Sequence, residues 1–307
     1  MKKDFLSIKD LTRDEIFNLF EEANYLRKLL KEGKSFYPLK GKTLGMIFRK
    51  PSTRTRLSFE VGMYQLGGHP IFLSLPQLQL KRGETIEDTA KVLSLYIDAI
   101  MIRTFDHQEV IRFAKAATIP VINGLTDLLH PCQALSDYYT IWRKKKNLKK
   151  IKWVYVGDVN NVCNSLILGA SILGVNLFIS HPPEYKPNEE IISQARESKE
   201  AKITFVKDPL EAVKEADIIY TDVWTSMGKE KEEKDRRSIF KDYQVNLNLV
   251  KKAKEDVIIM HCLPAHRGEE ITDEVIDGKK SIVFEQAENR LHLQKALLVK
   301  LLGSKIS

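Results

Sequence analysis

The segment "IKWVYVGDVNNVCNS" (Ile151–Ser165) runs from an apolar strand of Ile, Trp, Val and Tyr, through a Gly-Asp turn, into a helix that opens on asparagines. A strand with apolar residues on both faces, ending in a turn before a helix, is the opening unit of a parallel α/β sheet. It begins as a dinucleotide-binding fold would. The glycines are wrong for that chemistry, because Gly157 is followed by Asp158, Val159 and two asparagines, and a pyrophosphate could not approach the backbone closely. Asn161, at the helix start, is instead a candidate to hold a substrate carboxylate.

Working outward, the same pattern recurs. After residue 151 the strand candidates are "IKWVYVGD" (151–158), "NLFIS" (176–180), "KITFV" (202–206), "DIIYTDV" (217–223), "DVIIMHC" (256–262) and "SIVFEQ" (281–286). Before it they are "KTLGMIF" (42–48), "HPIFLS" (69–74), "AIMIRT" (99–104) and "PVIN" (120–123), with helical patterns over 53–66, 86–96, 107–117 and 132–143. At 307 residues the chain exceeds one average core. The expectation is an α/β protein of two doubly wound domains, each with a central parallel sheet flanked by helices.

The charged "RKKKNLKK" (143–150) marks the approach to a boundary, giving domains 1–145 and 146–286. The final pattern "AENRLHLQKALLVKLL" (287–302) has helical spacing, and segment 287–307 is expected to pack back on the first domain. The dense charges of "GKEKEEKDRRSIFKDYQ" (228–244) read as a surface excursion between strand and helix, either a solvated loop or a lid.

Apolar residues make up 43% and charged residues 29%, as in an ordinary globular protein rather than a disordered one. The net charge of +8 is spread along the chain without interleaved aromatics, which argues against nucleic acid and leaves small anionic substrates. Three scattered cysteines, Cys132, Cys163 and Cys262, form neither a disulfide framework nor a zinc site. The first residues lack the apolar core of a signal peptide, and no apolar run could span a bilayer. A cytoplasmic protein with no membrane and no nucleic-acid partner is expected.

Ligands of doubly wound sheets bind beyond the carboxyl ends of the strands, where this chain places its unusual residues. In "FRKPSTRTRLSFE" (Phe48–Glu60), Pro51 breaks the backbone and Ser52 or Thr53 caps a helix whose free N–H groups face any anion there. Arg54 and the hydroxyls of Ser52, Thr53 and Thr55 add donors that suit a phosphate-sized dianion. The spacing is not that of a nucleotide P-loop. Arg56 can instead pair with Glu60 one turn on.

In "DLLHPCQALSD" (127–137), His130 and Gln133 stand at a helix mouth, where both can donate to a carbonyl oxygen as it gains charge. Arg103 ends another strand and supplies a third donor. Further on, Asp222 sits at a strand tip in "YTDVWTSMG" (220–228), suited to an ammonium group, and the turn after it to a carboxylate. "MHCLPAHRG" (260–268) brings His261, Cys262 and Leu263 to the same rim, with Pro264 expected to force an extended turn. A Cys-His nucleophile using His261 or His266 is conceivable, although adjacent strand residues point to opposite faces.

These segments resemble the ornithine carbamoyltransferases. The resemblance covers nearly the whole chain: "STRTR" (52–56), "HPCQ" (130–133), "DVWTSMG" (222–228), "HCLP" (261–264) and "FEQAENR" (284–290), in the family's order. It implies transfer of a carbamoyl group from carbamoyl phosphate to the side-chain amine of L-ornithine without metal or cofactor, in a cleft between the two domains. It also implies that Ser52, Thr53, Arg54 and Thr55 bind the phosphate, that Arg103, His130 and Gln133 join Thr55 around the carbamoyl oxygen, and that Arg290 is a further ligand. On the acceptor side it assigns Asn161, Asp222, Ser226 and Met227 to ornithine, with Cys262 and Leu263 near the reacting centre. Arg103, His130, Asp222 and Cys262 are then the catalytic set.

The family is built on homotrimers or their multiples, and Gln79 matches the position a neighbour contributes. Here Lys81 stands where a glycine is common and Val159 is bulkier than usual. The alternative is a carbamoyltransferase with another acceptor such as putrescine, whose enzymes replace the "SMG" loop; aspartate enzymes lack "HCLP" and "SMG".

Overall fold

The strand "TLGMIF" is buried along nearly its whole length, on both pleat faces, and so needs cover on both sides. The computed structural model describes residues 3–74, 78–198, 201–225 and 232–303, without the side chains of Leu80, Lys81 and Glu233. These fall into two units, Met1–Tyr139 with Glu288–Ser307, and Thr140–Ala287.

In the first unit the chain runs α1 (Arg13–Lys31), β1 (Thr43–Phe48), α2 (Thr53–Gln65), β2 (His69–Ser74), α3 (Ile86–Ser94), β3 (Ala99–Arg103), α4 (His107–Ala116), β4 (Val121–Leu125) and the start of α5 (Pro131–Lys145). The strands form one parallel sheet in the order β2-β1-β3-β4. Central β3 is wholly buried, and the helices connecting parallel strands supply the cover such strands require.

Helix α1 escaped the sequence reading, though its signals were present. The Thr12 hydroxyl accepts the Glu15 N–H while the Glu15 carboxylate accepts the Thr12 N–H, a reciprocal cap. Ile16, Leu19, Phe20, Ala23 and Leu26 then form its buried stripe at helical spacing.

The second unit contains β5 (Lys152–Val156), α6 (Asn161–Leu173), β6 (Asn176–Ser180), α7 (Glu189–Arg196), β7 (Lys202–Phe205), α8 (Pro209–Ala212), β8 (Ile218–Thr221), α9 (Glu233–Phe240), α10 (Leu247–Val250), β9 (Ile258–His261), α11 (Asp273–Ile276) and the start of α12 (Val283–Leu302). Its sheet is also parallel, ordered β7-β6-β5-β8-β9. Gly157, which follows β5, has φ +131, a conformation open to glycine and costly for other residues. Helix α6 ends on Gly174 in the left-handed conformation, its N–H bonded to the Ala170 carbonyl. The expected two-domain parallel α/β architecture is the one observed. No helix among the described residues is long and apolar enough to cross a membrane.

Two expectations are corrected. "SIVFEQ" (281–286) is not a strand: Ser281 makes a single bridge to Ile259, and α12 starts at Val283, with the Gln286 N–H already on the Ile282 carbonyl. A short apolar run is ambiguous, and here the helical spacing of the following residues extends back through it. Within the excursion 228–244, the described part is a helix rather than the expected loop. Residues 226–231 lie outside the described residues, but α9 occupies Glu233–Phe240 and buries Arg236 and Phe240.

From Glu288 onward α12 belongs to the first unit, where Lys295 donates to Gln65 at 3.0 Å and Lys300 to Glu15 at 3.1 Å. His292 on this stretch is buried, facing Glu288 at 3.2 Å with Arg27 and Lys295 nearby, and burial above all lowers its pKa from 6.5 to about 4. The unfolded chain therefore takes up a proton near 6.5 that the folded chain refuses until about 4. Stability from this group is full above the upper value and declines as pH falls to the lower one, by about 3 kcal/mol at most. Thermal melts across that window should fall less steeply for His292→Gln than for the wild type; parallel slopes would contradict the assignment.

Candidate active site

In the first unit the anion-seeking segment follows β1. Ser52 is extended, with φ −164 and ψ 117, and its hydroxyl accepts the Thr55 N–H at 3.2 Å, capping α2. The N–H groups of the first helical turn have no intrahelical carbonyl and face whatever occupies the helix mouth. Thr53 is exposed, Arg54 half-buried and Thr55 buried. Arg56 turns aside to Glu60 at 3.0 Å and lies over the Phe72 ring at 4.0 Å, a structural role.

Arg290 gathers the next shell of groups. Its Nη1 donates to Gln133 Oε1 at 2.5 Å, Nη2 to Thr55 Oγ1 at 3.1 Å and Nε to Gln294 Oε1 at 2.8 Å. Gln133 Nε2 in turn donates to Asp137 at 2.8 Å, which fixes the orientation of the amide. Arg290, Gln133, Arg103 and His130 are all buried. Burial, then the positive charges of Arg290, Arg103 and Arg54, holds the His130 imidazole far below its usual pKa and hence neutral. Three guanidinium groups thus act on one neutral imidazole. Such a cluster favours a bound anion and offers a neutral ring N–H to a developing oxyanion.

Sequence reasoning passed over Lys50. Only 4% exposed, it pairs with Asp127 and lies 4.1 Å from the Phe105 ring centroid, anchoring the loop immediately before Pro51. The one signal for it was its position beside the motif. Gln79 is exposed in a 3-10 turn, Gln79–Arg82, and its side chain has no hydrogen-bond partner among the described residues.

In the second unit the centre is Asp222, just past β8 and 5% exposed. Its Oδ1 accepts from Cys262 Sγ at 2.9 Å and from the Val223 N–H at 2.8 Å, while Oδ2 accepts from Asn160 Nδ2 at 2.7 Å. Asn160 is the residue the sequence reading missed. Its Oδ1 caps α6 by accepting the Val162 and Cys163 N–H groups, so one side chain both starts the helix and orients the carboxylate. The signal was a pair of asparagines before an apolar helix, and only the second was chosen. Asn161 is the first residue of α6 and half-buried.

His261 is fully buried and not a partner of Cys262. Its Nδ1 accepts the Leu263 N–H at 2.8 Å, so Nε2 carries the proton toward Glu270 at 3.1 Å. His266 is exposed and faces Glu269 at 3.8 Å. The conceivable Cys-His nucleophile is therefore replaced by a thiol donating to Asp222. Leu263 is not extended either: with φ +58 it lies in the left-handed region, and the following peptide to Pro264 is cis. Capture of its N–H by His261 closes the turn more tightly than the proline alone suggested. Donor atoms of Asp222, His261 and Cys262 lie within 4.8 Å of one another, yet both imidazole nitrogens are committed to protein partners. Ser226 and Met227 lie outside the described residues.

Residues 3–143 match the family model described as aspartate/ornithine carbamoyltransferase, carbamoyl-P binding domain, and residues 149–301 match the Asp/Orn binding domain of the same family. The chain is 57% identical over 304 residues to an ornithine carbamoyltransferase of Oceanobacillus iheyensis, spanning 98% of this chain and 94% of that one. It is 54% identical to the anabolic ornithine carbamoyltransferase of Pyrococcus furiosus, spanning 98% and 96%. The solved structure of an ornithine carbamoyltransferase from Pyrococcus furiosus superposes with a TM-score of 0.94, covering 100% of this chain and 98% of that one at 54% identity.

Proposed function

The chain belongs to the aspartate/ornithine carbamoyltransferase family, and from that membership we propose that it transfers the carbamoyl group of carbamoyl phosphate to the side-chain amine of L-ornithine, giving L-citrulline and phosphate. The observation that carries the reaction class is the gathering of Arg54, Arg103 and Arg290 on a neutral His130. The acceptor follows from relatives at 52–57% identity, all named ornithine carbamoyltransferase. That identity over nearly full length favours ornithine over putrescine.

The phosphate is held by Ser52, Thr53, Arg54 and Thr55, and the carbamoyl oxygen by Thr55, Arg103, His130 and Gln133. Arg290 supports both sets, consistent with its bonds to Thr55 and Gln133. Ornithine's amino-acid end is read by Asn161, Asp222, Ser226 and Met227, and Cys262 and Leu263 stand at the reacting centre. A free side-chain ammonium has a pKa near ~10, so it must lose a proton before it attacks. Asp222, already accepting from the Cys262 thiol, orients the amine and assists that loss.

The amine nitrogen then bonds to the carbamoyl carbon, and the carbonyl pair moves onto oxygen. Arg103, His130 and Thr55 stabilise that oxyanion, a contribution of roughly 3–4 kcal/mol per donor in such sites. As the carbonyl re-forms, the bond to the phosphate oxygen breaks, its electron pair leaves with phosphate, and the second amine proton is released. Phosphate departs against Arg54. The reaction requires no metal or cofactor.

The protein acts in the cytoplasm as a homotrimer or a multiple of one, with Gln79 reaching a neighbour's site. The anabolic name of the Pyrococcus furiosus relative supports a place in arginine biosynthesis. Incubation with carbamoyl phosphate and, separately, ornithine, putrescine, aspartate and N-acetylornithine should yield citrulline alone by mass spectrometry. A different single product would keep the chemistry and relocate the error to acceptor recognition; no product at all would overturn the reading.

A further inference from the structure

Arg236 lies on α9, outside every motif used above, yet it is 1% exposed. A buried guanidinium is costly to desolvate and persists only where its partners are good. Its Nη2 lies 2.6 Å from Asp158 Oδ2, and its Nε donates to the Trp224 carbonyl at 2.6 Å. The flat face of the group is enclosed by aromatics, 4.2 Å from the Tyr185 ring centroid and 5.1 Å from that of Phe240.

These partners belong to the two loops of acceptor recognition. Asp158 lies in the β5–α6 turn that ends at Asn160 and Asn161, and Trp224 lies two residues beyond Asp222. The same loops touch again where Asn160 donates to Asp222. The turn is held from its other side by the Tyr155 hydroxyl, which donates to the Asp158 carbonyl at 2.8 Å. Arg236 is thus a brace across both loops, and the helix that carries it follows directly on the segment containing Ser226 and Met227.

We propose that Arg236 is a positioning residue for the amino-acid acceptor, holding the Asp158 turn and the Trp224 carbonyl so that Asn161 and Asp222 are presented together. The proposal rests on the functional reading above and deepens it. Helix α9 keeps other anchors without Arg236: Phe240 is fully buried and stacks on Trp224, and Arg237 pairs with Glu269 at 2.6 Å. Lysine can keep the charge opposite Asp158 but lacks the fork that also reaches Trp224.

The test is ornithine kinetics for Arg236→Lys, Arg236→Gln and Asp158→Asn beside the wild type, with calorimetry of carbamoyl phosphate binding and thermal melts. The KM for ornithine should rise about tenfold in Arg236→Lys and about a hundredfold in Arg236→Gln, while the carbamoyl phosphate Kd stays within about twofold. Asp158→Asn should shift the same KM without any change at Arg236, and so reads the brace even if Arg236→Gln does not fold. The double variant Arg236→Gln, Asp158→Asn should be no worse than the poorer single variant. Lower melting temperatures with an unchanged ornithine KM, or equal weakening of both substrates, would overturn the proposal. A wild type that makes no citrulline would overturn the functional reading and this inference with it; unchanged variants beside an active wild type would overturn the inference alone.

Discussion

Arg54→Ala is expected to leave the chain folded and weaken carbamoyl phosphate binding by about a hundredfold to a thousandfold, on the scale of lost charge-assisted bonds to a dianion. The side chain is half-buried on the first turn of α2, and the cap beside it is made by Ser52, not by Arg54. Its removal therefore takes charge from the helix mouth and leaves the start of the helix intact. Arg54 is also one of three cations that hold His130 neutral, after burial and behind Arg290 and Arg103, so the imidazole stays neutral without it. The loss should accordingly appear in phosphate binding before it appears in oxyanion stabilisation. Calorimetry with carbamoyl phosphate and with inorganic phosphate measures this directly. Both titrations should flatten together, whereas near-normal binding of either would remove Arg54 from the phosphate site.

The sequence made some of this legible and hid the rest for physical reasons. Strand candidates in the first half matched β1 to β4 within two residues at each end, because buried parallel strands leave continuous apolar runs bounded by turn residues. The ends of those runs pointed to Arg103, His130 and the STRTR segment, since ligand groups in this architecture gather at strand carboxyl ends. What stayed hidden were partnerships across sequence distance. Nothing in the local text links Arg290 to Thr55 or Arg236 to Asp158. Periodicity equally could not show that Asn160 turns toward Asp222. Residues 281–286 misled because six apolar-rich residues fit either period until the helix beyond them is counted in.

Asp222→Asn is expected to cut kcat/KM for ornithine by about a thousandfold or more while carbamoyl phosphate binding is retained, a loss of roughly 4 kcal/mol in transition-state stabilisation. The substitution conserves shape but not hydrogen-bonding sense. Asp222 accepts from three donors, the Cys262 thiol and Val223 N–H on one oxygen and the Asn160 amide on the other. An asparagine oxygen can still serve the first two, but its NH2 would then face the NH2 of Asn160. Rotating the Asn160 amide does not relieve the conflict, because its oxygen is what caps the Val162 and Cys163 N–H groups of α6. The mismatch therefore spreads from the carboxylate to the helix carrying Asn161, in addition to the loss of the negative charge that attracts an ammonium. Steady-state kinetics with ornithine varied at saturating carbamoyl phosphate, beside calorimetry of carbamoyl phosphate alone, separates acceptor recognition from carbamoyl phosphate binding. Ornithine kinetics within a factor of about ten of wild type would show that the acceptor is recognised elsewhere.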